Sequence, residues 1–168
     1  MKKIAIFFGS STGNTRLVAE ILKSKITEMH VDLLDLYEHS IEKINEYQNI
    51  ILGISTWGDE EPQEDWMKNF IDLKKIDLAG KTIALFGLGD QGIYKNSFAD
   101  GLGIVYDSIK DKECKIIGDW SAHDYNFKQS KAIKDGRFVG LVIDEDQQSE
   151  YTEYRINEWL NQILPQFN

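Results

Sequence analysis

The residues best suited to bind a ligand lie in loops that directly follow apolar runs. The first loop, after Gly9, consists of small or polar residues: Ser10, Ser11, Thr12, Gly13, Asn14 and Thr15. It opens a segment of helical period, where backbone N–H groups and the helix dipole favour an anion. The loop contains no Lys or Arg, and it lacks the second glycine and the lysine of a Walker-type triphosphate site. It therefore suits one phosphate monoester, and a Ser- and Thr-rich helix cap is the alternative.

Two later loops each combine glycine with a large aromatic residue. One contains Ser55, Thr56, Trp57, Gly58 and Asp59, and the other contains Leu88, Gly89, Asp90 and Tyr94. Two loop aromatics can clamp a flat heterocycle, because offset stacking adds roughly 1 kcal/mol per ring beyond area burial. A single loop aromatic more often only packs. Two of them beside a phosphate loop favour a ligand site.

Alternating strands and helices position these loops. Runs of β-branched and other apolar residues predict strands at Lys3 to Phe8, Val31 to Leu36, Ile50 to Ser55, Thr82 to Leu88 and Phe138 to Ile143. Helical periodicity covers Leu17 to Met29, Gln63 to Leu73, Phe98 to Ile109 and Ile156 to Leu164, with a weaker segment at Ile41 to Tyr47. This alternation predicts an α/β fold, a doubly wound three-layer sandwich with a five-stranded parallel sheet. Such folds bind ligands at the carboxyl ends of their strands.

One segment interrupts the alternation. A strand starts near Lys115, but about eighteen mostly polar residues, Trp120 to Arg137, precede the last predicted strand. Irregular segments of this length are uncommon in compact domains and are often functional. Its aromatic residues, Tyr125 among them, predict that it packs onto the domain. Without repeats or a linker signal, residues 1–168 are expected to form a single domain.

Composition limits the possible partners. The 168 residues carry a net charge of −9, which argues against a nucleic-acid partner because phosphate contacts need clustered Lys and Arg. The charge allows docking to a basic protein, or it only maintains solubility. No apolar run approaches the roughly 18 residues of a membrane span. The N-terminal residues are interpreted as a strand rather than a signal peptide, so the protein is expected to be cytoplasmic and not to associate with membranes.

Other classes of protein match parts of the sequence. Gly87 to Gly92 has the Gly-x-Gly-x-x-Gly pattern of nicotinamide-dinucleotide enzymes, but it follows the fourth strand and lacks an acid at the next strand end. A receiver domain needs acids where Gly9-Ser10 and Ser55-Thr56 stand. The acidic residues around Trp57 match no calcium loop, so no metal site is predicted. Since no nucleophile is paired with a base, electron carriage is expected, with a nicotinamide- or flavin-dependent oxidoreductase acting on a small substrate as the alternative.

Four motifs, in order along the chain, resemble those of flavodoxins. They are Ser10-x-Thr12-Gly13-Asn14-Thr15, Ser55-Thr56-Trp57 with Gln63-x-Asp65-Trp66, Gly87-Leu88-Gly89-Asp90-Gln91 with Tyr94, and Phe138-Val139-Gly140-Leu141 with Asp144-Glu145-Asp146. The resemblance runs from Lys3 to about Pro165. The stretch from Trp120 is similar to the loop that splits the last strand in long-chain flavodoxins. The resemblance implies the strand order 2-1-3-4-5.

The resemblance also implies a cofactor and a function. Flavin mononucleotide (FMN) would be held non-covalently, with its phosphate at residues 10–15 and its ring between Trp57 and Tyr94. Backbone atoms of residues 55–59 and 88–90 would meet the polar edge of the ring, and Asp146 would lie near the ribityl chain. The implied protein is a monomeric, low-potential carrier, not an enzyme, that shuttles electrons one at a time between a flavodoxin reductase and acceptor enzymes through an acidic surface. No contacts are assigned to Ser97 and Ala99, where some relatives carry larger polar side chains.

Overall fold

Strands and helices alternate along the chain as the sequence predicts. The computed structural model describes residues 2–57 and 61–168, except for the side chains of Trp57 and Glu61. The strands are β1 (Lys3–Phe8), β2 (His30–Asp35), β3 (Asn49–Trp57), β4 (Glu61–Pro62), β5 (Thr82–Leu88), β6 (Lys115–Ile117), β7 (Trp120–Ser121), β8 (Ile133–Lys134), β9 (Arg137–Phe138) and β10 (Leu141–Ile143). The helices are α1 (Asn14–Lys25), α2 (Glu64–Lys75), α3 (Asp100–Ile109) and α4 (Thr152–Ile163), with 3₁₀ helices at Ile41–Glu46, Ser149–Tyr151 and Leu164–Gln166.

The central sheet is parallel, with the order β2-β1-β3-β5 and two short strands beyond β5. β6 pairs with the first half of β5 and β10 with its second half, so together they form the fifth strand. β4 adds a short antiparallel pairing to the end of β3. The predicted doubly wound sandwich of order 2-1-3-4-5, with its last strand split by the insertion, is confirmed.

Apolar side chains fill a core on each face of the sheet. Along β1, Ile4, Ile6 and Phe8 point into the core that α1 and α4 cover, whereas Ala5 and Phe7 point into the core that α2 and α3 cover. All seven residues of β5 are buried. A strand buried on both faces appears in the sequence as a continuous apolar run, which explains why these runs predicted the strands well. No helix within residues 2–57 and 61–168 is long and apolar enough to cross a membrane.

Two helix boundaries differ from the predicted ones because of the backbone conformation of one residue. α1 ends at Lys25 instead of Met29, because Ile26 adopts an extended conformation. α3 begins at Asp100 and not at Phe98, because Ala99 has left-handed backbone angles (φ 55°). Backbone conformation at a single residue therefore sets both boundaries, and apolar periodicity does not report it.

The predicted strand from Phe138 to Ile143 is two strands. β9 belongs to a separate three-stranded sheet of order β7-β9-β8, whereas β10 belongs to the central sheet. The division lies at Gly140, where a Cβ atom would overlap the carbonyl oxygen of Leu85 in β5. Glycine allows the two backbones to approach this closely.

The insertion from Trp120 to Arg137 packs onto the domain. The Tyr125 hydroxyl donates to the carbonyl oxygen of Val142 (2.5 Å) and accepts a hydrogen bond from the Trp120 indole (3.1 Å). Further along the insertion, the N–H of Lys131 donates to the carboxylate of Asp100, the first residue of α3 (2.7 Å). A Cβ atom at Gly103 of α3 would overlap the backbone carbonyl of Lys131. The insertion and α3 are thus in backbone contact.

This contact predicts the effect of Gly103→Ala. Alanine favours a helix interior over glycine by about 1 kcal/mol. We expect the substitution nevertheless to lower the free energy of unfolding by about 1 to 3 kcal/mol, because a backbone carbonyl cannot rotate away from the added methyl group. Urea denaturation measures the change, with Ser108→Ala on the same helix as a control expected to be near neutral. A stabilised Gly103→Ala protein would contradict the close packing of α3 against the insertion.

Candidate functional site

The carboxyl ends of the central strands enclose a cavity of about 360 Å³. Its lining comes from the loops after β1, β5 and β10, from the first turn of α1 and from the ends of β3 and β5: Ser11, Thr12, Asn14, Thr15, Ser55, Thr56, Leu88, Gly89, Asp90, Tyr94, Ser97, Ala99, Glu145 and Asp146. Strand order reverses between β1 and β3, and doubly wound sheets bind ligands at that point. The volume is typical of a site for a small molecule.

Strand register brings the loops to one level. Ser55, two residues before the end of β3, lies opposite Leu88 at the end of β5, and Leu88 lies opposite Ile143 at the end of β10. The N–H of Gly89 then donates to the carbonyl oxygen of Ile143 (3.1 Å). The ends of three neighbouring strands therefore lie close together at one edge of the sheet.

The loop after β1 is shaped by backbone conformation and by one hydroxyl. Gly13 has left-handed backbone angles (φ 92°), which glycine adopts without steric cost, and α1 begins at the next residue. The Ser10 hydroxyl accepts hydrogen bonds from the N–H groups of Gly13 (3.0 Å) and Arg16 (3.4 Å). Ser10 and Gly13 therefore hold the loop, while Ser11, Thr12, Asn14 and Thr15 line the cavity beside the helix N-terminus.

The cation nearest to this loop along the chain is engaged elsewhere. The Arg16 guanidinium pairs with Asp35 at the end of β2 and lies 5.2 Å from the centre of the Phe8 ring. Among the described residues that line the cavity, none is Lys or Arg. An anion here would be held by the helix dipole and by neutral N–H and O–H donors.

The loop after β5 is organised by Asp90. Its carboxylate accepts the N–H groups of Gly92 (2.8 Å) and Ile93 (3.0 Å) and the side-chain amide of Gln147 (3.0 Å). The N–H of Tyr94 donates to the carbonyl oxygen of Asp90 (2.9 Å). These bonds fix the turn that presents Tyr94 to the cavity.

A buried carboxylate joins this loop to the one after β10. Asp144 is fully buried and accepts N–H groups from Gln91 (3.0 Å), Asp146 (3.2 Å) and Gln147 (3.0 Å). Sequence reasoning gave Asp144 no role, although an acid directly after a buried strand was a usable signal. Asp144 positions both acidic loops at the mouth of the cavity.

Similarity to known proteins decides the family. The model of the flavodoxin family matches residues 6–159. The chain belongs to the flavodoxin family. The flavodoxin of Buchnera aphidicola subsp. Acyrthosiphon pisum (strain APS) is 45% identical over 100% of this chain and 99% of its own, and that of Nostoc sp. (strain PCC 7120) is 40% identical over 99% and 98%. The structure also resembles the crystal structure of Fusobacterium nucleatum flavodoxin bound to flavin mononucleotide, with a TM-score of 0.95. The two sequences are 30% identical, and the match covers 100% of each chain.

The structure places most of the predicted residues of this flavodoxin-family chain around the cavity. Ser11, Thr12, Asn14, Thr15, Ser55, Thr56, Leu88, Gly89, Asp90, Tyr94 and Asp146 line it. Gly58, Asp59 and the Trp57 side chain lie outside the described residues, so the aromatic clamp stays a prediction. Ser97, Ala99 and Glu145 line the cavity and were not predicted. Glu145 belongs to the Asp144-Glu145-Asp146 motif, and Ser97 and Ala99 continue the loop that carries Tyr94.

Negative charge concentrates at this flavodoxin-family cavity. Partial burial, and then the neighbouring charges of Asp90, Asp144 and Glu145, raise the pKa of Asp146 above its usual value of 3.8. Like charges penalise the ionised form of a carboxyl group. The carboxylates around Asp146 therefore disfavour a further negative charge close to them.

Replacing Asp146 by asparagine tests this effect on stability. At about pH 7 we expect Asp146→Asn to raise the free energy of unfolding of the ligand-free protein by roughly a few tenths of a kcal/mol, since solvent screens an exposed carboxylate. Because the pKa of Asp146 is higher in the folded state than in the unfolded state, only the ionised carboxylate destabilises the fold. The stability gained by Asp146→Asn should therefore shrink as the pH falls through the raised pKa towards 3.8. Urea midpoints at about pH 7 and pH 4 measure it. Asp111→Asn at an exposed site is the control, and an equal gain at both pH values would contradict the charge effect.

Proposed function

We propose that this chain is a low-potential electron carrier that holds one FMN non-covalently in the cavity. Residues 1–168 act as one FMN-binding domain that passes electrons singly from a reductase to acceptor enzymes. The observation that carries the proposal is a cavity that combines an uncharged loop at a helix N-terminus with an aromatic residue, at the strand-order reversal of a flavodoxin fold. The related Fusobacterium nucleatum flavodoxin, solved with FMN bound, supports it.

The lining residues fit the parts of FMN. The hydroxyl groups of Ser11, Thr12 and Thr15 and the N-terminus of α1 suit the phosphate, together with Ser10, Gly13 and Asn14 of the same loop. Tyr94 offers a flat ring for stacking, with Trp57 as its predicted partner. Backbone groups of residues 55–59 and 88–90 suit the polar edge of the ring, and Asp146 suits the ribityl chain.

The charge of the lining favours a donor of low potential. When bound, FMN supplies the capacity to store and release electrons. The carboxylates of Asp90, Glu145 and Asp146 line the same cavity and disfavour added negative charge within it. Their effect lowers the potential at which an electron is accepted.

The lining also favours a carrier over an enzyme that transforms a small substrate. Among the described lining residues none is His, Cys or Lys, and no serine or threonine hydroxyl of this lining is hydrogen-bonded to one of its carboxylates, so the described lining offers no paired nucleophile and base. We propose that the net charge of −9 serves docking onto basic surfaces of the reductase and acceptor enzymes, as a monomer in the cytoplasm.

Cofactor content tests the proposed function. The purified protein should be yellow and release one FMN, and no NAD, on denaturation. Tyr94→Ala should raise the dissociation constant of FMN by about tenfold, because it removes the stacking energy and some buried area. Quenching of FMN fluorescence by the apoprotein measures the constant, with Tyr154→Ala at an exposed tyrosine as the control. A colourless protein that does not bind added FMN would contradict the function.

Ionic strength tests the role of the charge. Electron transfer with the reductase should slow by about tenfold or more as salt rises from low to high concentration, because screening weakens attraction between opposite charges. Stopped-flow rates across a salt series measure the effect, and a neutral small-molecule oxidant serves as the control. Electron-transfer rates that do not change with salt concentration would show that the net charge serves solubility only.

A further inference from the structure

We propose that Gln63 is a positioning residue that makes the Ser11 hydroxyl a hydrogen-bond donor to the cavity. In this way it helps the site select a phosphorylated flavin over the same ring without a phosphate. The inference deepens the proposed function and rests on it, because it concerns how the loop after β1 recognises the phosphate.

The orientation of the Gln63 side chain is fixed by its partners. The side chain is buried, with 2% of the residue exposed. Its Oε1 accepts the N–H of Asp65 (2.9 Å), and its Nε2 donates to Asp65 Oδ2 (2.9 Å) and to Ser11 Oγ (2.9 Å). A backbone N–H can only donate and a carboxylate can only accept, so the amide nitrogen must face Ser11.

This orientation determines what Ser11 can do. A hydroxyl group has one proton and two lone pairs. Because Ser11 Oγ accepts the Gln63 amide proton, its own proton must point to another acceptor, and Ser11 lines the cavity. A phosphate dianion accepts hydrogen bonds and donates none, so Ser11 presents the group that it needs.

The backbone around Gln63 holds this arrangement in place. The N–H of Gln63 donates to the carbonyl oxygen of Ser55 (2.8 Å), which is a cavity residue. A Cβ atom at Gly9 would overlap Gln63 Oε1, so glycine at that position leaves room for the amide. Gln63 thus contacts the segment that opens the first loop, the end of β3 and the start of α2.

Capping of α2 accounts for only part of these contacts. A cap needs an acceptor for the N–H of Asp65, which Oε1 provides. The Nε2 contact to Ser11 serves no helix end and joins two segments distant in sequence. Helix capping therefore does not explain the hydrogen bond from Gln63 Nε2 to Ser11 Oγ.

The test compares FMN with riboflavin, which lacks the phosphate. Gln63→Met removes the amide donor without adding charge, and we expect it to lower the ratio of FMN affinity to riboflavin affinity by about fivefold to tenfold. Ser11→Ala should lower the ratio by a similar factor, and adding Gln63→Met to it should cause no further fall. Gln63→Glu, which offers Ser11 an acceptor, should lower the ratio at least as much. Gln162→Met on α4 is the control.

The outcomes separate this inference from the function on which it rests. Equal weakening of both flavins by Gln63→Met, or an additive effect with Ser11→Ala, would overturn the positioning role and leave FMN binding intact. If the Gln63 variants fail to fold, an unchanged ratio in Ser11→Ala overturns it alone. A wild-type protein that binds neither flavin would overturn both proposals.

Discussion

The register of β5 with its two neighbours is the constraint on which the cavity depends. Leu88 ends this strand opposite Ser55, near the end of β3, on one side and opposite Ile143, at the end of β10, on the other, so the ends of three strands meet at one edge of the sheet. A slip of one residue would move a strand end by about 3.3 Å and exchange the side chains of the two cores. Because all of β5 is buried, such a slip would place side chains of the wrong size in both cores and disrupt their packing. The burial that stabilises the sheet therefore aligns the site.

Charge distribution then limits how an anion can be held there. The described lining contains three carboxylates and no Lys or Arg, and Arg16 is paired with Asp35. Attraction to a phosphate must therefore come from neutral donors and from the dipole of α1. With neutral donors, the strength of phosphate binding depends on the direction in which each N–H or O–H proton points. The hydrogen bond from Gln63 to Ser11 is important for this reason, because it sets the direction of the Ser11 proton. The carboxylates belong to the loops after β5 and β10, whereas the neutral donors belong to the loop after β1 and the start of α1, so the two effects arise from different parts of the lining.

The sequence predicts the fold and much of the site because their signals are local. Buried strands leave apolar runs, and the loop after β1 combines hydroxyl groups with a helix start. The division of the last strand at Gly140 depends on its approach to Leu85, which no local pattern reports. Ser97 and Ala99 reach the cavity next to Phe98, whose N–H donates to the carbonyl oxygen of Gln129 in the insertion (3.2 Å). Contacts between residues this far apart in the sequence cannot be predicted from periodicity or composition.

Phosphorus-31 NMR of the protein with FMN, recorded across a pH series, tests the central claim most directly. The claim is that neutral N–H and O–H donors hold the phosphate as a dianion in the loop after β1. Hydrogen bonds to a charged form lower its pKa, so the second pKa of the phosphate should fall well below its usual value of about 6. The account predicts one resonance, shifted from that of free FMN, whose position stays constant from about pH 5 to 9. A resonance that titrates near pH 6, as a phosphate in solvent does, would contradict it.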